Sequence, residues 1–267
     1  MQQVIAIVNN KGGVGKTTSA VNIAACWGEI GKRVLVIDLD PQGSASLSFG
    51  IDDDGNALFQ ALQKTTALPV LSTKARGVDL VPSGRGFAEA RQRFFGVVGS
   101  ELLMRCLQYT EGEWDFVIID CPPSLDILTT TALKASAHVV IPVEANYLSY
   151  HGLSQMIQSV SSFQSQNPVL AVRAIIPCRA QARRRIHGEF LDRMEKLLPG
   201  GIGPAVRENV SLAEAPGNGL PVVLYYPNSN GAYDYRRVAQ WLLERLSIVR
   251  DLHFNPFPVV INTESSL

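Results

Sequence analysis

The chain has 267 residues, with 24 basic and 24 acidic side chains and a formal net charge of zero. Its overall field therefore attracts neither nucleic acid nor a membrane surface, and any such binding has to come from a local patch. Hydrophobic residues make up 46% and charged residues 18%, which excludes a disordered chain and suffices for one large domain or two small ones.

No apolar run is long enough to cross a bilayer, and the N-terminus enters a strand without a basic leader. Neither a membrane span nor a signal peptide is expected. Cys26, Cys106, Cys121 and Cys178 lack metal-type spacing, so they read as buried thiols of a reducing compartment. Cys121 follows an aspartate at a strand end, at the edge of the site described below, and is assigned no chemistry.

In chain order, Val4–Val8 is a short apolar run that suits a buried parallel strand. Thr17–Ile30 reads as a helix closed by Gly31, and Arg33–Ile37 as the next strand. Residues 51–76 are the least periodic and read as a surface insertion. Val78–Val81 is a strand closed by Pro82, and Glu89–Tyr109 reads as mostly helical. Phe116–Ile119 and Val139–Val143 are apolar strands, and Ser149–Gln164 is a helix. Val169–Ile176 is a further strand, Gln181–Leu198 a charged helix, Val222–Tyr225 a short strand, and Ala232–Val249 a closing amphipathic helix.

Apolar strands alternating with helices predict an α/β fold: a single doubly wound, mostly parallel sheet with helices on both faces. The expected division is one domain over residues 1–250 and a tail over 251–267, packed as an extended arm.

The stretch Asn9–Thr18, NNKGGVGKTT, carries the first chemistry. A glycine-rich turn between strand and helix cradles phosphates with backbone N–H groups, aims a lysine at the outer phosphates and offers a hydroxyl to Mg²⁺. Gly12, Gly13, Gly15, Lys16 and Thr17 fill those roles, with Val14 and Thr18 in the same loop. Asn10 stands where the common pattern has a glycine, and asparagine tolerates that turn. Lys11, Gly12, Gly13, Gly15 and Lys16 together recur by chance in about one window in a million at a residue frequency of roughly 7% each.

A phosphate-binding loop needs one lysine, and this one carries two. In open parallel sheets, ligands sit beyond the carboxyl ends of the strands. Three carboxylates fall there: Asp38, Asp40 and Asp120. Asp38 and Asp120 join Thr17 as the expected metal set, Asp120 acting through water, while Asp40 is placed to orient the attacking water. Turn and cap acids are common at such positions, but three around one phosphate loop favour function.

The segments Lys11–Thr18, Asp38–Gly43 (DLDPQG) and Val117–Ser124 (VIIDCPPS) resemble the ParA/MinD class of deviant Walker-A ATPases. So do Ile141-Pro142-Val143 with Gly152-Leu153-Ser154, and Leu212–Pro216 (LAEAP). The resemblance is nearest to ParA-like (Soj-like) partition ATPases without an added N-terminal DNA-binding domain, and it spans residues 1 to roughly 245.

This resemblance implies a P-loop ATPase that uses ATP and Mg²⁺ and forms an ATP-dependent sandwich homodimer. Lys11 then reaches the nucleotide of the second subunit. Lys11, Lys16 and Asp40 are the implied catalytic residues, and Glu144 is placed to reach the same seam. Adenine contacts are implied for the segments around Arg179 and around Arg207 and Asn209, although Arg207 stands where the class has a proline.

The resemblance also implies nonspecific DNA as a partner and a ParB-like or other activator with a basic N-terminal peptide. It places the protein in the cytoplasm on the nucleoid, driving partition or positioning of a cargo. Two expected DNA-binding arginines are replaced, one by Glu208 and one by an asparagine within Pro227–Asn230. Arg183, Arg184, Arg185, Arg236 and Arg237, with Arg179, are the available substitutes.

Two other classes remain as alternatives. One is a MinD-like membrane-associated ATPase, for which the chain end offers no basic amphipathic helix. The other is a metabolic P-loop enzyme acting on a small substrate.

Overall fold

The computed structural model describes residues 2–94, 99–145, 149–180 and 186–251. In chain order it builds β1 (Gln3–Ile7), α1 (Lys16–Glu29), β2 (Val34–Asp38), α2 (Ser44–Ser48), α3 (Asn56–Lys64), β3 (Leu71–Ser72), β4 (Val78–Val81) and α4 (Ala90–Arg93). Then follow α5 (Leu102–Tyr109), β5 (Phe116–Asp120), α6 (Ile127–Ala135), β6 (His138–Glu144), α7 (Ser149–Phe163), β7 (Ala171–Cys178) and α8 (Ile186–Leu197). The chain closes with α9 (Val210–Glu214), α10 (Val222–Tyr225) and α11 (Asn230–Asp251).

The strands form one seven-stranded sheet among the described residues, in the order β3-β4-β2-β5-β1-β6-β7. Every pairing is parallel except β3 with β4.

Alternation along each strand sends side chains to two cores. Ile5, Val34, Val36, Phe116, Ile118 and Ala174 face α1, α10 and α11. Ala6, Leu35, Ile37, Val117, Ile119 and Ile141 face α3, α5, α6, α7 and α8.

The first core is anchored where α1 crosses α11. Trp27 is fully buried, its ring centroid lies 4.3 Å from that of Phe116, and its Nε1–H donates to the Ala239 carbonyl at 2.9 Å. Seating α1 this way holds its N-terminus against the strand ends.

Three sequence expectations change. Val222–Tyr225 is a helical turn, not a strand. Pro221 starts it with φ −56°, the Pro221 carbonyl accepts from the Leu224 and Tyr225 N–H groups, and Asn22 Oδ1 accepts from Val222 N. Those local bonds outweigh the β-propensity of the two valines.

Residues 51–76 are not merely a surface insertion. They contain α3, which buries Leu58, Ala61 and Leu62, and the antiparallel edge strand β3. The span 89–109 is interrupted: 3₁₀ turns at Arg85–Glu89 and Gly99–Glu101 flank α4 and precede α5. The tail beyond residue 251 lies outside the described residues.

Replacing Trp27 by Phe removes a buried donor and part of a filled volume. It is expected to cost about 2 kcal/mol, read as a lower urea midpoint by far-UV circular dichroism. An unchanged midpoint would show that this crossing does not anchor α1.

Candidate nucleotide site

The loop between β1 and α1 is held from below. Asn9 Nδ2 donates to the Pro142 carbonyl at 2.7 Å, Asn9 Oδ1 accepts from Lys11 N at 3.0 Å, and Val8 N donates to the Val140 carbonyl at 3.1 Å. Gly13 and Gly15 sit at φ +72° and +99°, conformations that side chains with a Cβ rarely adopt. Gly15 is also the N-cap of α1 and brings no side-chain cap, so the first N–H groups of the helix keep their capacity for an anion. Beneath it, Cys178 Sγ lies 3.2 Å from where a Gly15 Cβ would be.

The register of the central strands gathers the acids. Asp120 pairs with Ile7 on one side and with Asp38 on the other. Both carboxylates are fully buried on the α1 face of the sheet. Thr17 Oγ1 donates to Asp120 Oδ2 at 2.7 Å. Asp120 Oδ1 is buried with no hydrogen-bond partner among the described residues.

Burial drives the Asp120 pKa well above the usual carboxylate range. The Asp38 charge raises it further, and the Thr17 hydrogen bond and Lys16 oppose the rise. Asp38 is pushed up to about 6, first by burial, against hydrogen bonds from Ser46 and Asp40. Burial likewise lowers the Lys16 pKa, with Asp120, Asp40 and Cys121 acting in the opposite sense. The Lys16 ammonium thus lies within the field of both Asp120 and Asp40. Its ammonium donates to the Lys11 carbonyl at 3.0 Å.

These residues fit a hard divalent cation. Thr17 and Asp120 would hold it, Asp120 through its orphaned oxygen and water, with the nucleotide supplying the remaining oxygens. Among the described residues no group of three or more His, Cys, Asp or Glu is placed to hold a metal ion by itself.

Asp38, the other acid of the expected metal set, already accepts hydrogen bonds through both oxygens. Oδ2 accepts from Ser46 N and Oγ, and Oδ1 accepts from Asp40 N. It shapes the loop that carries Asp40, and Gly43 closes that loop at φ +64°, where a Cβ would meet the Ser83 carbonyl at 2.8 Å. Asp40 Oδ1 accepts from Gln42 N at 3.0 Å.

Elsewhere the expected residues scatter in environment. The segments named for adenine are neighbours: Ala180 and Arg207 form a parallel bridge, with Ala180 N donating to the Val206 carbonyl. Arg179 is exposed at φ +53°. The Arg207 guanidinium forks onto the buried Asp234 at 2.9 and 2.7 Å, so the pair fixes its position. Asn209 caps α9 by accepting from Ser211 N.

Arg236 is held by Glu29 through two bonds and by the Pro227 carbonyl. Arg237 is exposed and lies over the Tyr233 ring. Arg183, Arg184 and Arg185 lie outside the described residues. Cys121 is buried beside Lys16 and Asp120, and burial raises its thiol pKa well above the usual value, which leaves it unreactive.

Sequence reasoning missed Asn9, Ser46 and Asp234. Each is tied to a partner at least eight positions away, which residue type and local spacing do not reveal.

A family model described as an AAA domain matches residues 2–172. The sporulation initiation inhibitor protein Soj of Bacillus subtilis is 37% identical over 247 residues, covering 90% of this chain and 98% of the relative. The chromosome partitioning protein ParA of Myxococcus xanthus is 33% identical, covering 91% and 88%. The chain belongs to the ParA/MinD class of ATPases, on its Soj-like side. Among solved structures, the cobyrinic acid a,c-diamide synthase of Mycobacterium smegmatis with bound ADP and magnesium superposes with a TM-score of 0.79 at 29% identity. That alignment covers 92% of this chain and 96% of the other.

For this ParA/MinD-class ATPase, Lys16→Ala or Thr17→Ala is expected to abolish Mg·ATP binding in isothermal titration. Unchanged affinity in both would remove the phosphate-loop assignment.

The buried acids add a pH signature. An acid with a raised folded pKa costs nothing below its unfolded value near 4, and its penalty grows as pH rises towards the folded value. Without nucleotide, Asp120→Asn should therefore melt above the wild type at pH 8, with the gap shrinking towards pH 5. A gap that widens on acidification would contradict the buried-charge account.

Proposed function

We propose that the protein is a partition-type ATPase that forms a sandwich homodimer on binding Mg·ATP, grips DNA without reading sequence, and moves or spaces a cargo. One observation carries this reading. The loop's two lysines occupy opposite environments: Lys16 is buried among the site acids, whereas Lys11 is 54% exposed on the outer side. An outward cation beside a complete phosphate site suits supply to a second subunit.

Catalysis in this reading is charge placement. The cradle N–H groups and Lys16 hold the phosphates, and Asp40 orients the attacking water. Lys11 of one protomer stabilises charge on the group transferred in its partner's site, so turnover depends on assembly. Bound Mg²⁺ would neutralise the developing phosphate charge, and Thr17 and Asp120 would hold it.

The cargo reading is supported by relatives named for sporulation control and chromosome partitioning, at 37% and 33% identity. The structural neighbour named as a biosynthetic synthase is 29% identical. Among the described residues no helix is long and apolar enough to cross a membrane. A ParB-like or similar basic activator is the proposed partner, and a nucleoid-associated cytoplasmic protein the proposed state. The DNA-contacting residues in this proposal are Arg183, Arg184, Arg185, Arg236 and Arg237, with Arg179.

Light scattering after size exclusion, together with phosphate release, tests the reading. Lys11→Ala should bind nucleotide yet stay monomeric and lose most turnover. Asp40→Ala should dimerise with ATP and fail to hydrolyse it. The Asp40→Ala dimer should bind DNA with a log–log salt slope near −5, for about six phosphates neutralised. Normal dimerisation by the Lys11 variant would defeat the trans-lysine account, and no DNA binding at low salt would remove the nucleoid as scaffold.

A further inference from the structure

Lys11 does not hang free in its own subunit. Its Nζ donates to Glu144 Oε2 at 2.8 Å, with side-chain exposures of 54% and 31%. Glu144 is the last residue of β6, in register with Cys178 of β7, so its backbone is fixed by the sheet. The stretch before Lys11 is tied to the same strand, through Asn9 to the Pro142 carbonyl and through Val8 to the Val140 carbonyl. Donor and acceptor are therefore both anchored to β6.

The Lys11 main chain, in contrast, touches the phosphate site directly, because its carbonyl accepts from the Lys16 ammonium. A lysine on a flexible four-carbon stem, starting there, has its own subunit's phosphate loop within reach. A second cation in that site would stabilise the transferred charge without any partner. Hydrolysis would then escape its dependence on assembly.

We propose that Glu144 is a positioning residue that holds Lys11 out of its own subunit's phosphate site, so that the ammonium serves only a second copy of the chain. This rests on the reading of Lys11 as the lysine supplied in trans. The pair's partial exposure keeps the restraint modest, which suits a contact that has to yield when two subunits close.

The test is phosphate release measured against protein concentration. Wild-type activity per subunit should rise with concentration and extrapolate to a low value at infinite dilution. In Glu144→Gln that dilute-limit turnover should rise about two- to five-fold, the range expected for losing an exposed pair. Glu144→Lys, which repels Lys11, should raise it further and serves if the Gln variant folds poorly. The rise should vanish in the Lys11→Ala/Glu144→Gln double variant, which a merely structural role for Glu144 does not predict.

An unchanged dilute limit in both single variants, with the wild-type concentration dependence intact, would overturn the positioning role alone. A rise that survives in the double variant would also overturn it. If wild-type activity per subunit is independent of concentration and Lys11→Ala is fully active, the trans-lysine reading fails and this inference falls with it.

Discussion

The site depends on the parallel register of β5 between β1 and β2. That register sets Asp120 opposite Ile7 and opposite Asp38. The strand ends then stop at one level, the glycine loop leaves β1 beside them, and Thr17 in the first turn of α1 reaches Asp120. A slip by one residue would turn Asp120 to the other face of the sheet, away from α1. The positions of Asp40, Lys16 and the cation set all follow from this alignment.

The alignment has an electrostatic cost. Two fully buried carboxylates lie side by side, and both are shifted towards their neutral forms. Asp38 is compensated by three fixed donors and becomes part of the scaffold. Asp120 keeps one oxygen without a hydrogen-bond partner among the described residues. A buried polar oxygen left without a donor costs free energy, and a donor or cation reaching it would relieve that cost.

The phosphate loop itself is governed by β6. Asn9 and Val8 fasten it to that strand, and Glu144 at the strand's end takes the Lys11 ammonium. One strand thus fixes the inner half of the loop and the direction of its outer lysine. The two lysines are alike in chemistry and differ in solvation. Lys16 is desolvated beside acids. Lys11, hydrated and restrained by a partly exposed partner, is available at the molecular surface.

By itself the sequence determined the parallel α/β class, the phosphate loop and the strand-end acids. These are short-range facts: apolar runs of strand length, glycines at a turn, and a carboxylate after each run. It also determined most element positions to within a few residues, because burial on both faces writes continuous apolar stretches. Leu58, Ala61 and Leu62 carried a helical spacing inside a region read as an insertion, but acidic and polar neighbours concealed it.

What only the tertiary structure decided concerns partners distant in the chain. Asn22 and Pro221 turn Val222–Tyr225 into a helix, and Asp234 claims the Arg207 guanidinium. Glu29 claims Arg236, Ser46 claims Asp38, and Glu144 claims Lys11. Residue type and local spacing state what a side chain is able to bind. Which of several charged or polar groups it meets is settled by packing across the sheet, where the pairing groups lie from 8 to more than 200 positions apart.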